Sequence, residues 1–221
     1  MYTRGPGALY IWPPGCTDDE VTPLYIEPDH IEGTVLKSKR DIGQQDITVS
    51  TIRAALVGLE GHGDANDQLI YKEYRISTEI PTSNSEGICH SLVRNKCDNE
   101  GQALYELNIR DCKFVPTLLG TYHHIDKTSL VKTDGLIMTR VPGLTLGDCY
   151  SRMCPEEQAM VKKAFAVALE AVNAHRIDNG SHHLGNVLWN REEHKCYIVD
   201  FERACWGEDI KYESAEKWGL Y

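Results

Sequence analysis

The sequence predicts an α+β fold, in which strands and helices are grouped along the chain rather than strictly alternating. Three observations predict this class: several strand-like runs precede residue 142, one apolar stripe at helical spacing begins near residue 155, and two short strand-like runs lie on either side of residue 192. At 221 residues, the chain is long enough to bury a substantial core.

The composition is that of a soluble globular protein, with 41% hydrophobic and 25% charged residues. A formal net charge of −10 argues against nucleic-acid binding, which depends on clustered Lys and Arg. No apolar run is long enough to cross a bilayer, and the N-terminal residues lack the apolar core of a signal peptide. We therefore expect a cytoplasmic or nuclear protein that binds no membrane, and whose eight dispersed cysteines are reduced thiols.

The N-terminal part gives few structural signals. Residues 1–45 contain several Pro and Gly with little periodicity, which predicts an irregular N-terminal segment. Residues 47–59 combine β-branched residues with Ala-Ala-Leu, so both a strand and a helix remain open. The glycines between residues 58 and 63 lie among acidic residues that would repel a phosphate, and we predict an acidic turn there.

Two elements are predicted next. Residues 68–76 have the β-propensity and partial alternation of a strand that includes Lys72. Asp98 or Asn99 can cap a helix that runs to about Asn108. Glu100 would then share one face of this helix with two leucines, Leu104 and Leu107.

The middle of the chain reads as strands followed by one helix. Residues 114–122 resemble a strand, and the Thr-Asp-Gly at 133–135 predicts a hairpin turn between 129–131 and 136–141. The second of these runs leads into Val-Pro-Gly. Pro155, followed by two glutamates, is typical of a helix start, and the apolar stripe after it predicts a buried face.

The polar stretch Asn179-Gly-Ser-His-His-Leu-Gly-Asn186 is followed by two strand-like runs, at 187–189 and 196–199. The first run begins just after Asn186 and the second ends at Asp200, so hairpin pairing would bring an amide and a carboxylate together. Hard oxygen ligands of this kind suit Mg²⁺, which usually takes one or two protein ligands plus substrate phosphates.

This stretch resembles the catalytic loop of the protein kinase-like superfamily, and especially its aminoglycoside and choline phosphotransferase branch. There the loop reads His-Gly-Asp-Leu-His-Pro-Gly-Asn-Ile-Leu and the metal strand ends in Ile-Asp-Phe. The matching positions are Gly180, His183, Gly185, Asn186 and the pair Asp200-Phe201. The Asp-Phe-Glu-Arg-Ala that begins at Asp200 is most similar to small atypical kinase-like proteins of fungi.

The resemblance implies a protein kinase-like two-lobed fold with a truncated, mainly helical C-terminal lobe. The implied parts are an irregular segment (1–45), an N-lobe (46–138), a hinge (139–147) and a minimal C-lobe (148–221).

The resemblance also implies roles for individual residues, with ATP and Mg²⁺ as cofactors. Asp200 would be the principal Mg²⁺ ligand and Asn186 the second, while His183 would position the loop. Lys72 would hold the nucleotide phosphates and pair with Glu100. In this family the backbone of the hinge binds adenine, and the resemblance assigns these contacts to the residues from Thr139 to Val141.

Several of these roles have simpler interpretations. Asn186 and Asp200 are also explained by hydrogen bonding within the hairpin, and the hinge residues by an ordinary exit from a strand into a turn. Lys72 is also explained as an exposed lysine on an edge strand, with Lys96 as the fallback partner of Glu100. Glu100 is also explained as an exposed first-turn residue favoured by the helix dipole.

Two departures from the pattern affect the predicted activity. Asn179 stands at the position of the loop histidine, and Ser181 stands at that of the catalytic aspartate. A serine is a very poor base, so the sequence predicts a degenerate kinase-like protein, a pseudokinase that binds ATP and Mg²⁺. Two alternatives stay open: an active phosphotransferase that uses Asp178 as a displaced carboxylate, and an interaction scaffold that binds no nucleotide. The sequence names neither an acceptor nor a protein partner.

Overall fold

A computed structural model describes residues 9–11, 31–41, 47–56, 69–76, 86–125, 132–207 and 214–220. The chain divides into two compact units. The first unit comprises Met1–Asp98 and Leu118–Arg140, and the second comprises Asn99–Thr117 and Val141–Tyr221. The fold is α+β with antiparallel sheets, as the sequence predicts. The division into four parts stays a prediction.

The first unit contains a six-stranded antiparallel sheet in the order β1-β5-β6-β4-β3-β2. Its strands are β1 (Leu9–Ile11), β2 (Ile31–Asp41), β3 (Ile47–Leu56), β4 (Leu69–Ile76), β5 (Leu118–Ile125) and β6 (Lys132–Thr139). The structure confirms the strand predicted over residues 68–76, and it resolves residues 47–56 as a strand.

Two strands lie where the sequence predicts irregular structure, because β1 and β2 both fall within residues 1–45. β2 pairs with β3 along its length, and β1 pairs with β5, which is distant in sequence. Strand pairing of this kind stabilises segments with weak local patterns, and a pattern-based prediction does not detect it. The acidic turn predicted near residue 60 lies outside the described residues.

The hairpin turn predicted at residues 133–135 is wrong. These residues lie inside β6, which pairs with β4 on one side and β5 on the other. Gly135 packs against the Tyr71 ring, since a Cβ at this glycine would lie 2.7 Å from a ring carbon. The Asp-Gly signal therefore reflects a close approach by a neighbouring side chain rather than a turn.

The helix predicted to begin near Asp98 begins much earlier, because α1 spans Glu86–Ile109. Its first residues include glycine, serine and histidine, which have modest helix propensity and gave no start signal. Glu100 therefore lies in mid-helix and is only 2% exposed, so its interpretation as an exposed first-turn residue is wrong. Leu104 and Leu107 are fully buried beyond it.

The second unit combines helices with two small sheets. Its elements after α1 are β7 (Leu144–Thr145), α2 (Leu146–Cys149), α3 (Pro155–Asn173), β8 (Ile177–Asp178), β9 (Val187–Asn190), β10 (Lys195–Ile198) and β11 (Cys205–Trp206), with 3₁₀ turns at Tyr150–Arg152, Leu184–Asn186 and Ala215–Trp218. The strands form the sheets β10-β9-β7 and β11-β8.

The core of this unit lies between α3 and the β9–β10 hairpin. The structure confirms that α3 begins at Pro155. Its buried stripe consists of Val161, Phe165, Ala168 and Val172. The Cys196 thiol of β10 contacts the Val161 carbonyl, and Trp218 packs edge-on against Phe165 with ring centroids 5.2 Å apart. This packing supports the polar loop between β8 and β9.

None of the helices within the described ranges is long and apolar enough to span a membrane. Six cysteines are unpaired thiols: Cys97, Cys112, Cys149, Cys154, Cys196 and Cys205.

Candidate functional site

The β9–β10 hairpin brings the two predicted metal ligands to one end, here called the open end. Val187 and Ile198 are the last paired residues there. Just beyond them, the Val199 backbone N–H donates to the Asn186 carbonyl at 3.0 Å. Asn186 and Asp200 therefore flank the same end of the hairpin, as the sequence predicts.

Asn186 has an unsatisfied side-chain oxygen at the open end. Its side chain is fully buried, and its amide Nδ2 donates to the Ser181 carbonyl at 3.1 Å. Its Oδ1 is buried without a hydrogen-bond partner in the described part of the chain. Because buried polar atoms are almost always paired, this oxygen is a candidate acceptor for a bound water or a candidate ligand for a cation.

Asp200 adopts a left-handed backbone conformation, with φ of 66°. A non-glycine residue in this conformation costs on the order of 1–3 kcal/mol, and such residues cluster at functional sites. Asp200 is half-buried.

The amide of Asn179 links the polar loop to the chain around Asp200. Its Nδ2 donates to the Val199 carbonyl at 3.2 Å and to the Asp200 carbonyl at 3.1 Å. Its Oδ1 accepts from the Ser181 N–H at 3.2 Å, and the residue is 2% exposed. Sequence reasoning identified Asn179 only as a departure from the family pattern. The one signal in the sequence was its position just before Gly180.

Close contacts surround two glycines of the loop. Gly180 has φ of 71°, and a Cβ there would collide with the Arg203 carbonyl, so the loop lies directly against the chain that follows Asp200. At Gly185, a Cβ would lie 2.9 Å from the ring nitrogen Nδ1 of His183. His183 is exposed, and its ring lies beside this glycine.

Asp178, the candidate displaced base, is held by a neighbouring histidine. Its Oδ1 lies 2.7 Å from His182 Nε2, and the His182 ring packs against Trp218 with centroids 5.2 Å apart. Asp178 also pairs across β8–β11 with Cys205, where burial and then the Asp178 charge raise the pKa of the thiol. The Asp178 side chain is 12% exposed. Its contacts therefore tie it into the interior of the second unit.

Ser181, at the position where the resemblance places a catalytic aspartate, is held by hydrogen bonds to its backbone. Its N–H is bound by Asn179, and its carbonyl accepts from the Asn186 side chain and from the His183 N–H at 3.1 Å. The loop is thus fixed around a neutral hydroxyl.

The remaining predicted site residues lie in different units of the chain. In the first unit, Lys72 is 5% exposed on β4, and its ammonium lies 5.4 Å from the Tyr74 ring centroid. Since β4 lies between β3 and β6, the interpretation as an exposed edge lysine is wrong. In the second unit, Glu100 is buried in α1. Its pairing with Lys72 stays a prediction.

The predicted hinge residues lie on both sides of the boundary between the units. Thr139 ends β6 opposite Leu69, and Val141 lies half-buried in the irregular stretch that follows. The role of this stretch in binding adenine stays a prediction.

No protein-family model and no curated protein matches this sequence. Within the described ranges, no three His, Cys, Asp or Glu side chains form a group that could hold a metal. A site at the open end would therefore use one carboxylate and one amide, which is sufficient for Mg²⁺ when substrate phosphates and water supply the other ligands. The unsatisfied Asn186 oxygen fits such an ion.

Proposed function

We propose that this chain is a kinase-like protein with a degenerate catalytic loop, which binds ATP with Mg²⁺ and transfers phosphoryl groups weakly or not at all. The proposal includes the two-lobed kinase-like fold that the loop motif implies. The single observation that carries it is the buried, unpartnered Oδ1 of Asn186 at the open end, where Asp200 also lies.

Asn186 and Asp200 would hold the Mg²⁺. The bound ion would supply charge neutralisation for the nucleotide phosphates. The protein's own contribution is positioning: the Asn186 amide is fixed by the Ser181 carbonyl, and the backbone carbonyl of Asp200 is fixed by Asn179. Hard oxygen ligands of this kind suit a Mg²⁺ ion that is also bound by substrate phosphates and water.

Weak transfer follows from the loop chemistry. A positioned general base contributes on the order of 10²- to 10⁴-fold in rate, and the neutral Ser181 lacks this ability. Asp178 does not replace the base readily, because its Oδ1 is bound to His182. These contacts disfavour the active phosphotransferase that uses a displaced carboxylate.

Thermal unfolding with ATP and Mg²⁺, with ATP in EDTA, and without ligand tests nucleotide binding. A ligand at 100 times its dissociation constant should stabilise the protein by about 2.7 kcal/mol. Asp200→Asn should remove the Mg²⁺-dependent part of this stabilisation, because it removes the charge of the ligand. The backbone should be unaffected, since Asn tolerates the left-handed conformation. Asp111→Asn is the matched control, since Asp111 also has a left-handed backbone, with φ of 60°.

Two results would count against the proposal. No stabilisation at millimolar ATP and Mg²⁺ would leave a scaffold that binds no nucleotide. Rapid phosphate transfer that disappears in Asp200→Asn but persists in Asp178→Asn would contradict the argument from the missing base.

A further inference from the structure

We propose that Asn179 is the positioning residue of the metal site, and that it acts by holding Asp200 in its left-handed conformation. This inference rests on the proposed function, because it assigns to Asn179 a role in the Mg²⁺ site of that function. It starts from the two hydrogen bonds that one side-chain amide donates to the successive carbonyls of Val199 and Asp200.

These two carbonyls belong to the peptide planes on either side of the Asp200 Cα. The angles φ and ψ describe how these two planes are rotated about the N–Cα and Cα–C bonds, so fixing the orientation of both planes fixes the residue's conformation. The conformation held here is left-handed, with φ of 66°. Asp adopts it more readily than most residues, and contacts to both peptide planes stabilise it further. Asn179, which is 2% exposed, provides two such contacts from a single group.

The same side chain couples Asp200 to the polar loop. While Nδ2 donates to the two carbonyls, Oδ1 accepts from the Ser181 N–H, and the Ser181 carbonyl in turn accepts from the Asn186 amide. A continuous set of hydrogen bonds therefore joins the two proposed metal ligands through Asn179 and Ser181. Loss of the Asn179 donor should release the Asp200 backbone and impair the Mg²⁺ site.

The chain contains a matched control at the other end of the same hairpin. Asn190 is also a buried asparagine bonded to backbone, but its side chain acts as an acceptor: Oδ1 receives the N–H groups of Glu192 at 3.1 Å and Glu193 at 3.4 Å. An Asn→Asp exchange keeps the shape and the acceptor while removing the donor. It should therefore disrupt the contacts of Asn179 and preserve those of Asn190.

The experiment measures the affinity for ADP with Mg²⁺ and in EDTA, for the full chain and for Asn179→Asp, Asn179→Ala, Asn190→Asp and Asn190→Ala. Residues that orient metal ligands typically change metal affinity about 10- to 100-fold when mutated, and we expect both Asn179 variants to lose Mg²⁺-dependent affinity in this range. Their affinity in EDTA should be unchanged. Both Asn190 variants should match the wild type in both conditions, although Asn190→Ala is less stable because it loses a backbone cap.

The outcomes separate this inference from the proposed function. If Asp200→Asn loses the Mg²⁺-dependent affinity but both Asn179 variants keep it, the positioning role is overturned and the proposed function stands. If the wild type shows no Mg²⁺-dependent affinity, both fail. If the Asn179 variants lose affinity for ADP equally with Mg²⁺ and in EDTA, the positioning role is also overturned, because such a loss indicates that the whole nucleotide site is disrupted.

A measurement on the wild type covers the case in which the Asn179 variants do not fold. The Ser181 N–H, which donates to Asn179 Oδ1, should exchange with solvent more slowly when Mg²⁺ and ADP are added, because metal binding at Asp200 orders the bonds that meet at Asn179. The Glu192 N–H, bound by Asn190, should show no change. Unchanged exchange at Ser181 with bound Mg²⁺ and ADP overturns the inference.

Discussion

The two ends of the β9–β10 hairpin differ in how completely their polar groups are satisfied. At the turn end, the Asn190 side chain caps two backbone N–H groups, and the Tyr197 hydroxyl donates to Glu193 at 2.8 Å. Arg191 donates twice to Glu157, whose Oε1 also accepts from the Trp189 indole at 3.1 Å. This end has the features of a structural element.

The open end leaves one polar group unsatisfied, because Asn186 Oδ1 is buried without a partner among the described residues. The backbone does not distinguish the two ends, since each has a left-handed non-glycine residue: His194 at the turn end, with φ of 50°, and Asp200 at the open end, with φ of 66°. Both ends belong to one short hairpin, so the difference does not arise from fold or chain length. Local violations of otherwise consistent structure are expected where function requires them, and the satisfied end helps to offset their cost. The unsatisfied Asn186 oxygen is therefore the feature that supports the open end as the candidate site.

Packing beneath the polar loop should give the largest mutational effect. Trp218 is 1% exposed and contacts Phe165 and His182. Trp218→Ala should lower the free energy of unfolding by about 3–5 kcal/mol, because it leaves a large cavity. Urea unfolding followed by far-UV circular dichroism measures the change.

Two substitutions serve as controls for Trp218. Trp218→Phe should lower the free energy of unfolding much less, because it keeps an aromatic ring. It also removes an indole N–H that is buried without a partner in the described part of the chain. Trp206→Ala, at a residue that is 37% exposed, should have a small effect. A Trp218→Ala variant as stable as Trp206→Ala would show that the loop does not depend on this packing.

The left-handed conformation of Asp200 predicts a smaller effect. Asp200→Gly should be more stable than Asp200→Ala by about 1–2 kcal/mol, because glycine lacks the Cβ that strains alanine in the left-handed conformation. Both variants lack the carboxylate, so its other contacts cancel in the comparison. Urea unfolding measures the difference.

Asp111, with φ of 60°, provides the matched pair for this comparison. Asp111→Gly should exceed Asp111→Ala in stability by a similar amount, while ligand binding should change only in the Asp200 pair. Equal stability of the Gly and Ala variants at Asp200, with a clear difference at Asp111, would contradict the conformation assigned to Asp200.

The sequence predicts the elements whose signals are local. Pro155 and the glutamates after it mark the start of α3, and the apolar runs around residue 192 mark the hairpin, because each pattern is set by neighbours in sequence. The placement of Asn186 and Asp200 at one end of the hairpin follows from that pairing. Local patterns in the sequence are therefore sufficient to predict the hairpin and the position of its two candidate ligands.

The parts that could not be predicted depend on distant contacts. Lys72 does not lie on an edge strand because β4 pairs on both sides, and Gly135 lies within β6 for the same reason. The role of Asn179 depends on carbonyls about twenty residues away. Sequence pattern indicates which residue types are present, but only the tertiary arrangement decides which atoms meet.

The smallest expected effect concerns the turn end and its dependence on pH. Hydrogen bonds from Arg191 and then Trp189 lower the pKa of Glu157 below its ordinary value of 4.5. A lowered pKa means that the carboxylate stabilises the fold above pH 4.5, and that this contribution is lost as the pH falls through the value in the folded protein. Because Arg191 is 70% exposed, solvent should keep the effect modest.

Glu157→Gln tests this contribution because it removes the charge and keeps the shape. The wild type should have the higher Tm at pH 7, and the difference should shrink as the pH is lowered from 5 to 3. Glu192→Gln, at the exposed turn, is the control and should follow the wild type throughout. A Tm difference that is constant with pH would mean that the Glu157 charge does not stabilise the turn end. The contrast with the open end would then rest on the neutral Asn190 cap and the Tyr197 hydrogen bond alone.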